Sequence, residues 1–307
     1  MEVADSLRAA SKAGLPDLAE IFGHILESRG KLIRPAITLL AGKLYNYNSQ
    51  LHVPMAAAVE LLHTATLVHD DTIDNALTRR GNATINSLWG KGTAVLVGDH
   101  LFANSAELVA STGNLRVIRL FARTLMTICN GELGQSFSAY NWRMSREKYY
   151  SRIASKTACL FSTAAQSGAI LSQAPEPAIQ ALRSYGDNFG IAFQIVDDIL
   201  DFIGDEKEMG KPVGGDLWQG TVTLPAILLL ERYPEDSPVR KMFENKRKRD
   251  NFKRALEMIR NSDIIRDSFD IASQFSAVAR QALEDLPASS CRQALADLAD
   301  YVVERSY

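Results

Sequence analysis

The sequence predicts an all-α protein. Apolar residues recur at intervals of three and four along most of the chain, which is the period of an α-helix, and no segment has a convincing strand pattern. Only ten prolines occur in the 307 residues, and neither a Ser/Gly-rich linker nor an internal repeat divides them. The length would accommodate two domains, but it also suffices for one large helical core.

Residues that typically begin or end a helix lie between the apolar stretches. Pro35 suits a first helical turn, Gly113 suits a C-terminal cap, and Ser237-Pro238 is typical of a cap followed by a first-turn proline. The predicted helices cover residues 16–27, 35–46, 53–74, 95–112, 116–139, 146–171, 176–203, 222–232, 249–261, 264–285 and 289–304.

Composition and charge exclude several classes of protein. Hydrophobic residues make up 46% of the chain and charged residues 23%, as in an ordinary globular protein rather than a disordered one. The 34 basic and 36 acidic side chains leave a net charge of −2, so we expect no nucleic-acid partner. The sequence shows neither an apolar leader nor a membrane-spanning run, and we expect a protein that is not transmembrane.

Two further features bear on location. The three cysteines, Cys129, Cys159 and Cys291, are far apart and odd in number, which argues against a disulfide framework or a zinc finger and favours a reducing, cytoplasmic setting. The basic run Lys246-Arg247-Lys248-Arg249 is interpreted as a solvated turn, with weak contact to a membrane surface as the alternative.

Residues 190–205 combine an acidic stripe with apolar faces. Gln194, Asp197, Asp198, Asp201 and Asp205 follow one another at helical spacing, so they share one side of a helix. Almost all other residues of this segment are apolar, which is too much apolar surface for a helix on the outside of a protein. We therefore expect these acids to face an internal cavity.

An earlier segment repeats the pattern D-D-x-x-D after a similar apolar lead-in, as Asp70, Asp71 and Asp74. Glu60 and His63 fall on the same side of this predicted helix. His63 lies seven residues before Asp70, which brings the two to within about 20° of each other around the helix axis.

Clustered carboxylates need positive charge. Placing two of them about 4 Å apart costs about 4 kcal/mol at an effective dielectric constant of about 20. Oxygen ligands suit hard cations, and Mg²⁺ in particular combines one or two carboxylates with water and phosphate oxygens. The two motifs therefore indicate Mg²⁺ and a diphosphate substrate.

Basic residues near both motifs support this interpretation. Lys31 and Arg34 lie three residues apart at a helix entrance, where side chains and free amides bind anions. Arg79 and Arg80 follow the first acidic motif, and Lys211 follows the second.

Taken together, these residues resemble the trans-type isoprenyl diphosphate synthases, also called polyprenyl synthetases. The resemblance runs over nearly the whole chain. It rests on Gly30-Lys31-x-x-Arg34-Pro35, Asp70-Asp71-x-x-Asp74, Arg79-Arg80-Gly81, Lys156-Thr157 and Gly190-x-x-Phe193-Gln194-x-x-Asp197-Asp198-x-x-Asp201.

The resemblance implies a single all-α domain over residues 1–307, whose helices surround a deep central cavity, and a homodimer. It implies a prenyltransferase with Mg²⁺ as cofactor, about three ions being bound with the allylic diphosphate. In such enzymes the allylic diphosphate ionises, the double bond of isopentenyl diphosphate attacks the carbocation, and a proton is lost. Weak membrane association for product release is a further expectation.

The resemblance also implies a role for each site residue. The residues that would hold Mg²⁺ directly are Asp70, Asp74 and Asp197. The residues that would assist catalysis are Asp71, Asp198, Asp201, Thr157 and Gln194. The residues that would bind the allylic diphosphate are Arg79, Lys156 and Lys211. The residues that would bind isopentenyl diphosphate are Lys31, Arg34, His63 and Arg80.

One segment departs from the family's pattern. Family members commonly carry a lysine in a G-K-x-T-L-P segment, whereas this chain has Gly220-Thr221-Val222-Thr223-Leu224-Pro225. Loss of one charge-assisted contact should weaken primer binding by about 1.5–3 kcal/mol unless another cation substitutes. We therefore expect Thr221→Lys to lower KM for the allylic primer, and an unchanged KM would contradict this expectation.

Product length is predicted from residues about one turn before the first acid pair. Leu62, Ala65 and Thr66 are not aromatic, whereas bulky residues at those places stop the growing chain in some family members. This favours geranylgeranyl or a longer polyprenyl diphosphate over farnesyl diphosphate. On this placement Ala65→Phe should shorten the product.

Other classes of protein account for fewer of these residues. Glu60 and His63 form an E-x-x-H, but a di-iron bundle would need a second one. A metal phosphohydrolase built on His69-Asp70 leaves the second acidic motif unexplained, and the second motif of a terpene cyclase is absent. The remaining alternative is a partner subunit without turnover, against which the two intact acidic motifs argue.

Overall fold

The computed structural model describes residues 3–5, 7, 16–27, 30–79, 81–137, 140–204, 213–244 and 247–305. Its helices, numbered in chain order, are α1 Pro16–Glu27, α2 Ile33–Gly42, α3 Ser49–Ile73, α4 Ile85–Ser111, α5 Leu115–Phe137, α6 Arg146–Ile153, α7 Cys159–Leu171, α8 Glu176–Ile203, α9 Gly215–Trp218, α10 Leu224–Arg232, α11 Pro238–Phe243, α12 Lys248–Arg260, α13 Ile264–Gln281 and α14 Ser290–Glu304. A π-helical turn, Ala154–Ala158, joins α6 to α7. The predicted all-α class is confirmed.

A short hairpin joins α3 to α4, and the sequence did not predict it. Strands β1 Thr78–Arg79 and β2 Asn82–Ala83 pair in antiparallel fashion. Gly81 has a φ of 79°, a left-handed conformation that glycine adopts at little cost. Two-residue strands are too short to show an alternating pattern, which is why the hairpin could not be recognised.

Several helix boundaries also differ from the predicted ones. Helix α3 begins at Ser49 rather than at residue 53, because the Asn48 side chain caps it by accepting the Gln50 N–H at 2.9 Å. Pro54 consequently lies inside the helix. Helix α4 begins at Ile85 instead of residue 95, with a break at Gly90, where φ is 83°.

The chain divides into two compact units. The first unit consists of Met1–Thr124, Leu160–Gly186 and Asp285–Leu295, and the second of Leu125–Cys159, Asp187–Glu284 and Ala296–Tyr307. A single domain over residues 1–307 stays a prediction.

In the first unit, α3 packs along α4. Leu61, Ala65 and Val68 of α3 share one buried apolar cluster with Val97 and Leu101 of α4. Among the described helices, α3 alone is long and apolar enough to cross a membrane. However, 61% of its most apolar stretch of 18 residues is buried inside the protein, as is typical of a core helix.

In the second unit, α10 packs against α6, α11, α12 and α13. Phe189, Ile195, Ile199 and Phe202 of α8 are fully buried. Because these apolar residues surround the second acidic motif along α8, the packing of the core fixes the position of that motif.

Candidate active site

The first acidic motif lies at the C-terminal end of α3. Asp70 and Asp71 belong to its last turn, and Asp74 caps the helix by donating its backbone N–H to the Asp70 carbonyl at 2.8 Å. Asp74 is exposed and Asp70 is half-buried. Asp71, which is 8% exposed, is the buried member of the motif.

Arg79 is bound to the first motif directly. Its Nε donates to both carboxylate oxygens of Asp71 at 2.9 Å, and its Nη2 lies 2.8 Å from Asp71 Oδ1. The hairpin between α3 and α4 makes this contact possible, since Arg79 ends β1. Arg80, which is predicted to bind isopentenyl diphosphate, lies outside the described residues.

The two histidines near this motif differ in surroundings. His69 Nε2 lies 3.2 Å from the Val95 carbonyl and 3.5 Å from an Asp99 carboxylate oxygen, so its ring faces α4. That ring fills the space beside Gly98, where a Cβ would meet it at 2.1 Å. His69 is thus engaged in packing α3 on α4. His63 is half-buried on α3.

Lys31 and Arg34 lie at the start of α2. Leu32, the residue before the helix, has the left-handed φ of 52°, which turns the chain sharply between the two basic residues. Lys31 is exposed. The guanidinium carbon of Arg34 lies 4.1 Å from the ring centroid of Phe161, a cation–π contact that orients the guanidinium.

The second acidic motif carries a buried hydrogen-bond network. Tyr149 donates its hydroxyl to Asp198 Oδ2 at 2.7 Å, and Gln194 Nε2 donates to Asp198 Oδ1 at 2.8 Å. Thr157 in turn donates to Gln194 Oε1 at 2.7 Å. The hydroxyl proton of Thr157 is therefore used in this hydrogen bond, and the lone pairs of its oxygen can accept other contacts.

Burial dominates the electrostatics of Asp198. Together with the negative charge of Asp216, it raises the pKa of the Asp198 carboxyl to about 7, against the two hydrogen bonds that favour the charged form. Burial, assisted by the Asp198 charge, also raises the pKa of Tyr149 well above its ordinary value, which keeps the tyrosine a donor. A nearby cation would favour the charged form of Asp198.

Asp197, the residue expected to hold a metal directly, is paired with Arg305. Arg305 Nη2 donates to Asp197 Oδ1 at 2.6 Å and to the Phe193 carbonyl at 2.8 Å. Its guanidinium carbon also lies 4.0 Å from the Phe193 ring centroid. The Arg305 side chain is only 11% exposed, whereas that of Asp197 is 32% exposed.

Asp201 anchors the chain that follows the motif. The Gly214 N–H donates to the Asp201 carbonyl at 2.7 Å, and the Asp216 N–H donates to Asp201 Oδ2 at 3.2 Å. These bonds fix the start of α9 beside the motif. Asp205 and Lys211, which lie between, are outside the described residues.

The π-helical turn positions Lys156 and Thr157. Turns of this kind occur often at functional sites because the extra residue redirects neighbouring side chains. Lys156 Nζ lies 2.7 Å from Glu132 Oε1 of α5. Gly131 permits this close approach, since a Cβ there would lie 3.0 Å from that of Ser155.

Thr221 lies in a segment that is held by backbone hydrogen bonds, and the side chain of Arg152 lies close to it. The Thr221 N–H donates to the Asp216 carbonyl at 2.8 Å. Arg152 Nη2 donates to the next carbonyl, that of Val222, at 2.7 Å. Arg152 also interacts electrostatically with Asp198, so a positive charge lies near the position where the family's lysine is missing.

Sequence reasoning missed four residues of this site: Tyr149, Arg152, Glu132 and Arg305. A signal existed for the first two, because Tyr149, Arg152 and Lys156 share one helical face. Glu132 and Arg305 are remote in sequence from their partners, and only the fold brings them together.

The donor chemistry of the two motifs fits Mg²⁺. The six aspartates of the two motifs offer carboxylate oxygens, the ligands that hard cations prefer. Within the described ranges, no three His, Cys, Asp or Glu side chains form a metal-binding group by themselves. This agrees with the usual coordination of Mg²⁺, in which one or two carboxylates are combined with water and phosphate oxygens.

Comparison with known proteins assigns the chain to a family. The family model "Polyprenyl synthetase" matches residues 16–259. A prenyl transferase of Synechocystis sp. is 38% identical over 305 residues, covering 98% of this chain and 94% of that protein. Heptaprenyl diphosphate synthase component 2 of Geobacillus stearothermophilus is 37% identical, with 99% and 95% covered.

Comparison with solved structures supports the same family assignment. The crystal structure of heptaprenyl diphosphate synthase from Staphylococcus aureus superposes with a TM-score of 0.94 at 34% identity, covering 99% of this chain and 96% of that one. The chain therefore belongs to the polyprenyl synthetase family. The prediction of a trans-prenyltransferase is confirmed.

Proposed function

We propose that the protein is a Mg²⁺-dependent synthase that condenses isopentenyl diphosphate with an allylic diphosphate to make a long all-trans polyprenyl diphosphate. The observation that carries this proposal is the pair of D-D-x-x-D motifs, each with a buried carboxylate and a bound arginine. A product of geranylgeranyl length or longer is supported by the long-chain names of the relatives.

In the proposed reaction the allylic C–O bond breaks and leaves a carbocation and diphosphate. The double bond of isopentenyl diphosphate attacks the cation, a new C–C bond forms, and a proton is lost. The departed diphosphate is the base we propose, since the motifs offer no separate catalytic histidine. Mg²⁺ held by Asp70, Asp74 and Asp197 would supply positive charge to the leaving group.

The chain's own residues would complete this charge stabilisation. We assign Lys156, Arg79 and Lys211 to the allylic diphosphate, and Lys31, Arg34, His63 and Arg80 to isopentenyl diphosphate. Arg152, close to Thr221, is our candidate for the missing lysine. The lone pairs of Thr157, left by its hydrogen bond to Gln194, would face the positive carbons with Asp71, Asp198 and Asp201 in support.

The test is elongation of defined primers. Purified full chain is incubated with Mg²⁺, labelled isopentenyl diphosphate and, separately, dimethylallyl, geranyl, farnesyl and geranylgeranyl diphosphates, and the products are resolved by length. We expect a ladder that continues beyond the farnesyl product. Products that stop at farnesyl diphosphate would overturn the assignment of chain length, while leaving the reaction in place.

Substitutions at two neighbouring residues should separate an effect on product length from an effect on core packing. Thr66 is half-buried, whereas Ala65 is fully buried in the cluster between α3 and α4. We therefore expect Thr66→Phe to shorten the product. In contrast to the expectation from sequence, Ala65→Phe should overpack the core and lower the free energy of unfolding by about 1–3 kcal/mol.

Product ladders and thermal or urea unfolding of both variants provide the measurement. A shortened product from Ala65→Phe at unchanged stability would restore the placement inferred from sequence.

Arg305 should compete with the metal for Asp197. We expect Arg305→Met to tighten Mg²⁺ binding to the substrate-free protein about tenfold or more, because a charge-assisted hydrogen bond worth about 1.5–3 kcal/mol no longer has to be broken. Titration calorimetry measures this without turnover. The matched control is Arg280→Met, which removes the exposed pair Arg280–Asp300 of the same unit. Equal affinities for all three proteins would contradict a role of Asp197 as ligand.

We propose a homodimer as the working assembly. Helix α5 exposes a stripe of large apolar side chains at helical spacing, Leu115, Met126, Leu133 and Phe137, and Phe137 is 86% exposed. A second copy of this chain would cover such a stripe. The name of one relative, component 2 of a synthase, favours a second candidate, an assembly with a different subunit. Light scattering and the elongation assay on the purified chain alone distinguish the two.

A cytoplasmic location is also part of the proposal. It is supported by the cysteine pattern of the sequence, since Cys129, Cys159 and Cys291 are odd in number and far apart along the chain. Fractionation of the producing cells tests it.

A further inference from the structure

The second unit carries a surface on which aromatic rings and cations alternate. We define this basic–aromatic surface by six residues: Tyr140, Trp142, Arg143, Trp218, Lys248 and Arg249. Trp218 is 43% exposed and Tyr140 is 54% exposed, although both are large rings. Tryptophan and tyrosine are enriched at interfaces, including the belts of membranes, where one end of the side chain is apolar and the other is wet.

Contacts connect five of these residues, and the sixth, Arg249, follows Lys248 directly in the chain. Lys248 Nζ lies 4.7 Å from the Trp218 ring centroid and 5.5 Å from that of Tyr140. The guanidinium carbon of Arg143 lies 5.1 Å from the Trp142 ring. Tyr140 and Trp142 are two residues apart in the chain, and both contact α11. Phe243 of that helix packs against Tyr140, and Arg240 packs against Trp142.

The charge of this surface is positive. Residues 247–253 carry four cations, Arg247, Lys248, Arg249 and Lys253, against one acid, Asp250. Neighbouring cations such as Arg240, Lys241 and Arg254 are paired with Glu244 or Asp236. The four cations of 247–253 and Arg143 have no acidic partner within the described part of the chain, so their charge is available to an anionic ligand.

The surface lies beside the second acidic motif. Helix α9 begins where the Asp216 N–H binds Asp201, and it ends at Trp218. A ligand bound at Trp218 would thus lie next to α9, whose Asp216 N–H is hydrogen-bonded to Asp201 of the motif.

We propose that the basic–aromatic surface docks the protein on an anionic lipid membrane. Phosphate headgroups complement the unpaired cations, and the rings of Trp218 and Tyr140 lie at the level of the headgroups. The docking serves to release a product too apolar for water, and this second step rests on the proposed function. Single-stranded nucleic acid is a poorer match, because its sites place several exposed rings in a row for successive bases, whereas here Lys248 lies against both the Trp218 and the Tyr140 rings.

The test is vesicle flotation of the full chain without substrates, so that its outcome is independent of prenyl transfer. We expect binding to vesicles of phosphatidylglycerol and phosphatidylcholine, weakened by added salt, and none to phosphatidylcholine alone. Removing a cation near an anionic surface costs about fivefold in binding, so the double variant Lys248→Gln, Arg249→Gln should bind about 25-fold more weakly. Both substitutions keep good helix formers at the start of α12.

A matched control exists in the first unit. Lys43 also stands over a tyrosine, with its Nζ 5.4 Å from the Tyr47 ring, and Lys43→Gln should bind vesicles as the native protein does. Equal binding of the double variant and Lys43→Gln would overturn the proposal. So would binding to a single-stranded RNA homopolymer in place of vesicles. Elongation by the native protein in detergent solution reports on the proposed function separately.

Discussion

Replacement of Asp70 by Asn is expected to lower kcat/KM for chain elongation about a thousandfold. The substitution removes one negative oxygen from a half-buried carboxylate at the end of α3, which we propose as a ligand of the metal. A metal that stabilises a leaving group contributes several kcal/mol to the transition state, and each 1.4 kcal/mol changes the rate about tenfold. Steady-state kinetics with saturating Mg²⁺ measure the loss.

Asp99→Asn is the matched control. Asp99 is an exposed aspartate on the neighbouring helix α4, and its carboxylate lies near His69 rather than in the motif. We expect it to keep nearly full activity. If Asp70→Asn were as active as Asp99→Asn, the first motif would not bind the catalytic metal.

The second large effect is expected at the π-helical turn. Lys156→Met should lower kcat/KM for the allylic substrate by about 10- to 150-fold, since a charge-assisted contact to the diphosphate contributes about 1.5–3 kcal/mol. KM for isopentenyl diphosphate should change little, because a different set of cations is assigned to it. Initial rates with each substrate varied in turn give both constants.

The variant Glu132→Gln distinguishes a substrate-binding role of Lys156 from a structural role. Glu132 is the partner of Lys156 in the described structure, at 2.7 Å. If Lys156 serves the diphosphate, freeing it from Glu132 should leave KM for the primer unchanged or lower. A loss of activity equal to that of Lys156→Met would instead identify the ion pair as a structural element of the turn.

The acidic motifs and their helices could be predicted from sequence because both depend on local spacing. Asp70 and Asp74 lie one turn apart on any helix, and the apolar residues around Asp197, Asp198 and Asp201 make α8 a core helix wherever it packs. The all-α class followed from the same periodicity.

The partners of these residues could not be predicted. The pairing of Asp197 with Arg305 spans 108 residues, and no pattern in either segment points to the other. The pairing of Arg79 with Asp71 depends on a hairpin of two-residue strands. The surroundings of Ala65 could not be predicted either, because periodicity shows that a residue lies on an inner face but not whether a helix or a cavity covers it.

The central claim is that this chain elongates an allylic diphosphate in a reaction that needs a divalent metal. The most direct measurement incubates the purified chain with farnesyl diphosphate and labelled isopentenyl diphosphate, with Mg²⁺ or with excess EDTA, and follows the label into extractable products. Label in products longer than farnesyl, present with Mg²⁺ and absent with EDTA, is the predicted result. Folded, Mg²⁺-loaded protein that incorporates no label would contradict the claim that this chain catalyses the condensation by itself.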